Sequence, residues 1–201
     1  MSRKILLTGF KPFNKEPINP AEILTTNLAG KFANVTPLVL PVSYERSFEE
    51  LKNFWHNEGP FDALLMLGQA GGRQAVCLER VALNWSETSL PDEDGNKLAP
   101  QKLIEEAPTS YISDFFNQDW ITDLNKIGPT TTSFSAGTYV CNSLYFKSLH
   151  HITQAKIPTL FVHVPYLPEQ VQEKPNTASM KLETQQNIIE KLITLITELK
   201  T

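Results

Sequence analysis

Three kinds of side chain that together can break an amide bond (a thiol, an imidazole and a carboxylate) occur in this chain in settings that call for explanation. The thiol is Cys141, in the run SAGTYVCNS from Ser135 to Ser143. Gly137 is a poor helix residue, so Thr138 reads as an N-cap and Cys141 falls in the first turn of a helix. There the open backbone N–H groups and the helix dipole favour an anion, which lowers a thiol's pKa. Of the 4 histidines, His56 sits near a helix end among polar residues. His150 and His151 lie roughly three turns along the helix from Cys141, out of its reach. His163 alone is flanked by strand residues, Val162 and Val164. Glu79 stands among Val76, Leu78, Val81 and Leu83, where a carboxylate needs a partner or a function. Its neighbour Arg80 points to the opposite face of a strand, and Arg73 is a structural alternative as partner. A cysteine nucleophile needs a base that also protonates the leaving group, and a third group to orient that base. Cys141, His163 and Glu79 can supply those parts. Cys77, between Val76 and Leu78, reads as packing.

What would bring such distant residues together? The chain alternates strand-like and helix-like segments. Lys4 to Thr8 reads as a buried strand ending at Gly9, and Asn19-Pro20 opens a helix with asparagine as N-cap. Val35 to Val42 is a second strand. Ser47-Phe-Glu-Glu50 forms a capping box for a helix running to about Asn57, which Gly59-Pro60 ends. Ala63 to Leu67 is a third strand, entering GQAGGR, and Ala75 to Leu83 a fourth. Ser86 to Ile127 is polar and mixed, with a short helix expected near Thr109 to Phe116. Thr132 to Phe134 delivers the chain into SAGT, and the helix body then runs from Asn142 to His151. Thr159 to Val164 is a last strand. A helix from Ser179 carries Ile188, Ile189, Leu192, Ile193, Leu195, Ile196 and Leu199 on one face. The pattern predicts an α/β fold: one three-layer domain over residues 1–201, its mainly parallel twisted sheet covered by helices on both faces. Ligands in such folds bind beyond the carboxyl ends of strands. Gly9 to Phe13, Gly68 to Arg73, Cys141 and His163 all map there.

Composition narrows the classes. The chain has 201 residues, with 18 Lys plus Arg against 22 Asp plus Glu. No basic stripe interleaved with aromatics points to nucleic acid. No apolar run approaches the roughly 18 residues of a membrane span, and the apolar stretch near the start is too short for a signal peptide. The 2 cysteines differ in context and make a poor disulfide framework, so reduced thiols in cytoplasm are expected. GQAGGR fits neither the dinucleotide fingerprint nor the Walker loop. Residues alone therefore stop at a thiol hydrolase, with a transferase of nucleoside-phosphorylase type and a binding protein without turnover as alternatives.

An ordered set of motifs goes further. TGFKPFNKEPINPAE near the start, LPVSY (Leu40 to Tyr44), GQAGGR (Gly68 to Arg73), LERVALN (Leu78 to Asn84), PDEDG (Pro91 to Gly95), SAGTYVCN (Ser135 to Asn142) and HVPYLPEQ (His163 to Gln170) follow one another. Together they make the chain resemble the pyroglutamyl-peptidase I family over nearly its whole length. The resemblance implies a cysteine exopeptidase that hydrolyses the amide bond after an N-terminal pyroglutamyl residue through a thioester, without metal or cofactor. It implies Cys141 as nucleophile, His163 as base and acid, and Glu79 as orienting carboxylate. Phe10, Phe13, Gln69 and Val140 would receive the lactam ring, with Asn19 and Asn142 as further polar candidates and Arg73 supporting the oxyanion. It also implies a homo-oligomer, commonly a homotetramer. Two stretches depart from the family pattern. Asn14-Lys15 replaces Gly-Gly, a position where lysine adopts left-handed backbone poorly. Trp85 to Ser89 replaces a less bulky stretch that carries an arginine at the Ser89 position. From the pairing of Cys141 with His163, a thiolate–imidazolium ion pair is expected, with activity lost in acid.

Overall fold

Apolar residues two apart along each strand point to the same side of the sheet, and the strands of this protein divide their side chains between two cores in that way. The computed structural model describes residues 2–113, 116–154 and 156–199. Its element order is β1 (Ile5–Phe10), α1 (Pro20–Ala29), β2 (Val35–Leu40), α2 (Arg46–Glu58), β3 (Ala63–Gln69), β4 (Val76–Glu79), β5 (Val81–Leu83) and β6 (Ser110–Ile112). Then follow α3 (Gln118–Asn125), β7 (Thr130–Ser133), α4 (Val140–Lys147), a π-helical turn (Ser148–Ile152), β8 (Thr159–Val164), a 3₁₀ turn (Pro168–Gln170) and α5 (Leu182–Glu198). The main sheet has the order β2-β1-β3-β8-β4-β7, and β5 pairs with β6 in a second, two-stranded sheet. All pairs of the main sheet are parallel except β4 with β8.

Ile5 and Leu7 of β1 pack with α1, α3 and α5 on one face, where Leu24, Leu28, Trp120, Leu124, Ile188 and Leu192 are buried. Leu6 and Phe10 face the other way, against Phe48 and Leu51 of α2 and Val140, Leu144 and Tyr145 of α4. The result is the expected three-layer α/β architecture with a mostly parallel sheet. Pro37 in β2 is tolerated because β2 is an edge strand and a missing N–H there breaks no central ladder.

Local details differ from the expected ones. The capping box at Ser47 does not form: α2 already begins at Arg46, and Ser47 Oγ is buried without a partner. The chain has turned earlier, at Ser43, whose Oγ accepts from Arg46 N at 3.2 Å. In place of a helix near 109–116 the structure has β6, which pairs with β5 through Val81↔Ile112; residues 114 and 115 of that expected span lie outside the described residues. Helix α3 was not expected at all. Asn117 caps it, its side chain accepting from Trp120 N at 3.2 Å. The last helix begins at Leu182, not Ser179.

Candidate active site

The β4–β8 pairing is what joins the carboxylate to the imidazole. Register sets Cys77 opposite His163 and Glu79 opposite Phe161, so Glu79 and His163 are diagonal neighbours on one sheet face. Across that diagonal His163 Nδ1 lies 2.7 Å from Glu79 Oε1, with both side chains buried. A carboxylate only accepts, so Nδ1 donates this bond and Nε2 is the ring nitrogen that points away from Glu79. Arg73 Nη1 reaches the same Oε1 at 3.1 Å, while Arg73 Nη2 donates to Ser135 O at 3.1 Å. The guanidinium thereby ties Glu79 to the loop that leads into α4. Its two terminal nitrogens are thus engaged by the Glu79 carboxylate and the Ser135 carbonyl. Arg80 does face the opposite way: it donates to Ser113 O and Phe116 O and lies over the Phe116 ring.

Cys141 comes from the other side, on α4. The helix starts one residue later than expected, with Tyr139 as N-cap and no side-chain cap. Thr138 Oγ1 is committed elsewhere, donating to Glu87 O at 2.6 Å. The first-turn N–H groups around Cys141 are therefore not occupied by a capping side chain, and Gly137, at φ 80, makes the left-handed turn that aims the helix. Two anchors hold α4 in place. Asn142 accepts from Leu83 N and donates to Leu83 O and Trp85 O, all within 3.0 Å. Tyr145 donates its hydroxyl to the Glu79 carbonyl at 3.1 Å. Asn142 is thus saturated as an anchor. Asn19 likewise caps α1, accepting from Ala21 N, and donates to Lys11 O.

The sulfur rests on β3 at Gly68. A Cβ there would lie 2.8 Å from the Phe161 ring and 3.0 Å from Cys141 Sγ, so a glycine is what lets the thiol approach the strand. Gly68 is the register partner of His163, so the Cys141 sulfur lies against the strand next to that of the imidazole. No hydrogen bond joins the two in the structure, and the thiol is not poised as an anion. Burial, and then the charge of Glu79, push Cys141 up to about 12, against weaker pulls from its own backbone N–H and Arg73. The sequence-level argument from the helix start expected a lowered value. It omitted the desolvation that the packed Phe161 and Gly68 impose. Cys77 is also raised by burial first, with Arg73 opposing. Both cysteines are free.

A protonated resting thiol gives a checkable result. Alkylation of Cys141 by iodoacetamide, followed on its own peptide by mass spectrometry, is expected to climb steadily from about pH 7 to 10, about tenfold per pH unit, because only the thiolate reacts. A plateau reached near neutrality would contradict it.

Beside the sulfur's helix lies an apolar cleft of about 250 Å³, walled by Phe13, Leu90, Pro91 and Tyr139 with Lys15 and Asp92 at its edge. Tyr139 is held by its hydroxyl on Pro91 O at 2.8 Å and edge-on to Tyr44 at 5.6 Å. Asp92 keeps the opposite wall folded by accepting from Tyr44 N, Asp94 N and Asn96 N. Of the residues expected around the ring, Phe13 lines this cleft. Phe10 and Val140 are instead buried in the core with α2 and α4, and Gln69 ends β3 next to Gly68. Tyr139 and Leu90 also line it and were not among the residues expected there. The available signals were an aromatic residue two before the cysteine and an apolar residue before Pro91 in an otherwise polar stretch. Asn14 and Lys15 both adopt left-handed backbone, at φ 51 and 64, so the loop turns as a glycine pair would, at a strain of about 1 kcal/mol for the lysine. Among the described residues no group of three metal-ligating side chains occurs, and no helix is long and apolar enough to cross a membrane.

The family model for pyroglutamyl peptidase matches residues 3–198. The chain is 35% identical over 204 residues to a pyrrolidone-carboxylate peptidase of Bacillus mycoides, spanning 98% of this chain and 94% of that one. It is 38% identical over 202 residues to pyrrolidone-carboxylate peptidase 1 of Caldanaerobacter subterraneus, spanning 96% and 97%. Among solved structures, a mutant pyrrolidone carboxyl peptidase from P. furiosus superposes with a TM-score of 0.89 at 32% identity, covering 98% of this chain and 99% of that one. The pyroglutamyl peptidase I of Bacillus amyloliquefaciens does so with 0.89 at 27% identity, covering 100% of both.

Proposed function

Since the chain belongs to the pyroglutamyl peptidase family, a family of cysteine-type hydrolases, we propose that it releases an N-terminal pyroglutamyl residue from peptides through Cys141, His163 and Glu79. The observation that carries the assignment of roles is the 2.7 Å contact of His163 Nδ1 with buried Glu79, at the strand on whose neighbour the Cys141 sulfur rests. His163 Nε2 takes the thiol proton as sulfur attacks the pyroglutamyl carbonyl, because a thiol raised by burial ionises only when its proton has somewhere to go. Backbone N–H groups of the uncapped first turn of α4 receive the oxyanion. The imidazolium, stabilised by Glu79, then protonates the departing amine, and water deprotonated by the neutral ring hydrolyses the thioester. The lactam ring is flat, uncharged and largely apolar, which suits the cleft between Phe13, Leu90 and Tyr139. Reduced thiols belong to this reading, Cys77 and Cys141 both being free, and so does the homo-oligomer that the family resemblance implies.

The test is a comparison of chromogenic amides. A pyroglutamyl anilide is expected to be hydrolysed at least about a hundredfold faster, as kcat/KM, than the glutamyl or prolyl anilide, because an apolar slot leaves the glutamyl charges unpaired and proline offers no lactam amide. Equal rates on the three would remove the proposal.

A further inference from the structure

A lysine ammonium is a strongly hydrated point charge, so one that leaves water needs an anion or several acceptors in exchange. Lys147, in the last turn of α4, has neither. Its Nζ donates to Tyr44 O at 3.1 Å and lies 5.7 Å from the centre of the Phe48 ring. Both partners are neutral, and among the described residues no ion pair joins this half-buried side chain to a carboxylate. Burial holds its pKa below the ordinary lysine value, with Glu45 and Glu49 opposing more weakly. Lys147 lines a pocket of about 330 Å³, whose other walls are Tyr44, Glu45 and the 96–103 stretch. Lys97 and Lys102 line it from that stretch, both exposed. Lys102 has only a loose ion pair at 3.8 Å with Glu105, itself 79% exposed. Three ammonium groups therefore share this pocket with one carboxylate, Glu45. The pocket has no lining residue in common with the apolar cleft.

We propose that this pocket binds a small anion carrying two or more charges, of the pyrophosphate or polycarboxylate kind, which supplies the counter-charge that Lys147 lacks. The lysines come from two separate parts of the chain, α4 and the 96–103 stretch, so the anion must be large enough to bridge them. A concave site lined by one sign of charge concentrates such ions. Occupancy joins α4 to the 96–103 stretch, and Asn96 N in turn donates to Asp92 at the edge of the cleft. Tyr44 connects the two cavities from the other side, through Asp92 at its backbone N and Tyr139 at its ring. The site is additional to the pyroglutamyl reading and does not depend on it.

The experiment titrates inorganic pyrophosphate and citrate into the protein by calorimetry at low ionic strength and near-neutral pH, with thermal melting alongside. Wild type is expected to bind at least one of the two with a Kd of about 1 mM or tighter, and to melt higher in its presence. The ratio of the two affinities tells a phosphoryl site from a carboxylate site. Lys147→Met is expected to bind at least about tenfold more weakly, the loss of one charge-assisted hydrogen bond, and Lys147→Arg to recover most of the affinity. Without ligand, Lys147→Met should melt no lower than wild type, since it removes a half-buried charge that has no counter-ion. Should it not fold, the exposed pair Lys97→Gln and Lys102→Gln carries the test, with an expected loss of about fivefold. Lys126→Gln, at a surface ion pair with Asp123, is the control and should bind as wild type does. Absence of heat and of any melting shift with both anions would overturn the proposal. So would equal affinity in wild type and Lys147→Met, or a loss in Lys126→Gln as large as that in Lys147→Met.

Discussion

Replacing Cys141 with alanine or with serine will leave a folded protein whose amide turnover falls by about a million-fold, to the level of background, as when a hydrolase loses its nucleophile. The fold should survive because α4 does not depend on the sulfur. Asn142 is bonded to β5, Tyr145 to the Glu79 carbonyl, and Val140 and Leu144 are fully buried. Serine is the sharper of the two variants, since it keeps a nucleophilic atom at nearly the same place. Yet a hydroxyl is a far weaker acid than a thiol, and the site already raises the thiol to about 12 by burial. The same desolvation opposes an alkoxide even more strongly. Steady-state rates with circular dichroism as the folding control provide the measurement. Turnover retained in both variants would eliminate Cys141 as the attacking atom.

Exchanging Glu79 for glutamine is the second large effect, and its size says what the carboxylate does. The amide has the right volume and can still accept from His163 Nδ1, and Arg73 Nη1, which donates to the same oxygen, holds the carbonyl end in that position. Tautomer and ring orientation should therefore persist, and what disappears is the charge opposite the imidazolium. A triad whose histidine is turned into the wrong tautomer loses about 10⁴ in kcat; with the tautomer kept, a loss of about 10³ with KM little changed is expected. Folding stability should drop by about 1–2 kcal/mol, because Arg73 loses its anionic partner. The drop is smaller than for a fully buried pair, since that side chain is 28% exposed and can turn to water. A Glu79→Gln enzyme within threefold of wild type would mean that Glu79 serves Arg73 and the fold alone.

These two experiments separate the parts of the site by origin. Cys141, His163 and Glu79 each stood out in the sequence because their immediate neighbours made them odd: a thiol after a helix breaker, an imidazole inside TLFVHV, a carboxylate inside VCLERVAL. The strands around them were legible for a similar reason. A fully buried parallel strand reads as a run of apolar residues, and β1, β3 and β8 are runs of that kind. The edge strands and small elements were less legible. β7 is TTTS and β6 is SYI, too short and polar to carry a period. The short helix α3 has its start marked only by Asn117.

Residue types along the chain were enough to point to a thiol hydrolase, the α/β layering and the ends of strands at which a site must form, since those follow from local pattern and from the rule for open sheets, while the ordered motifs carried the resemblance to a peptidase family. Candidate partners of Glu79 were readable there, but how the contacts are shared was not. That Glu79 shares one oxygen between His163 and Arg73, that Asn19 and Asn142 are consumed as anchors, and that Gln170 holds Gln69 all depend on contacts between residues far apart in the chain. The same holds for the state of the thiol. A helix start argues for an anion, but the packing of Phe161 and the strand under the sulfur removes water, and desolvation outweighs the dipole. Burial is a property of the assembled layers, so the pKa of Cys141 belongs to the fold and not to the run SAGTYVCNS.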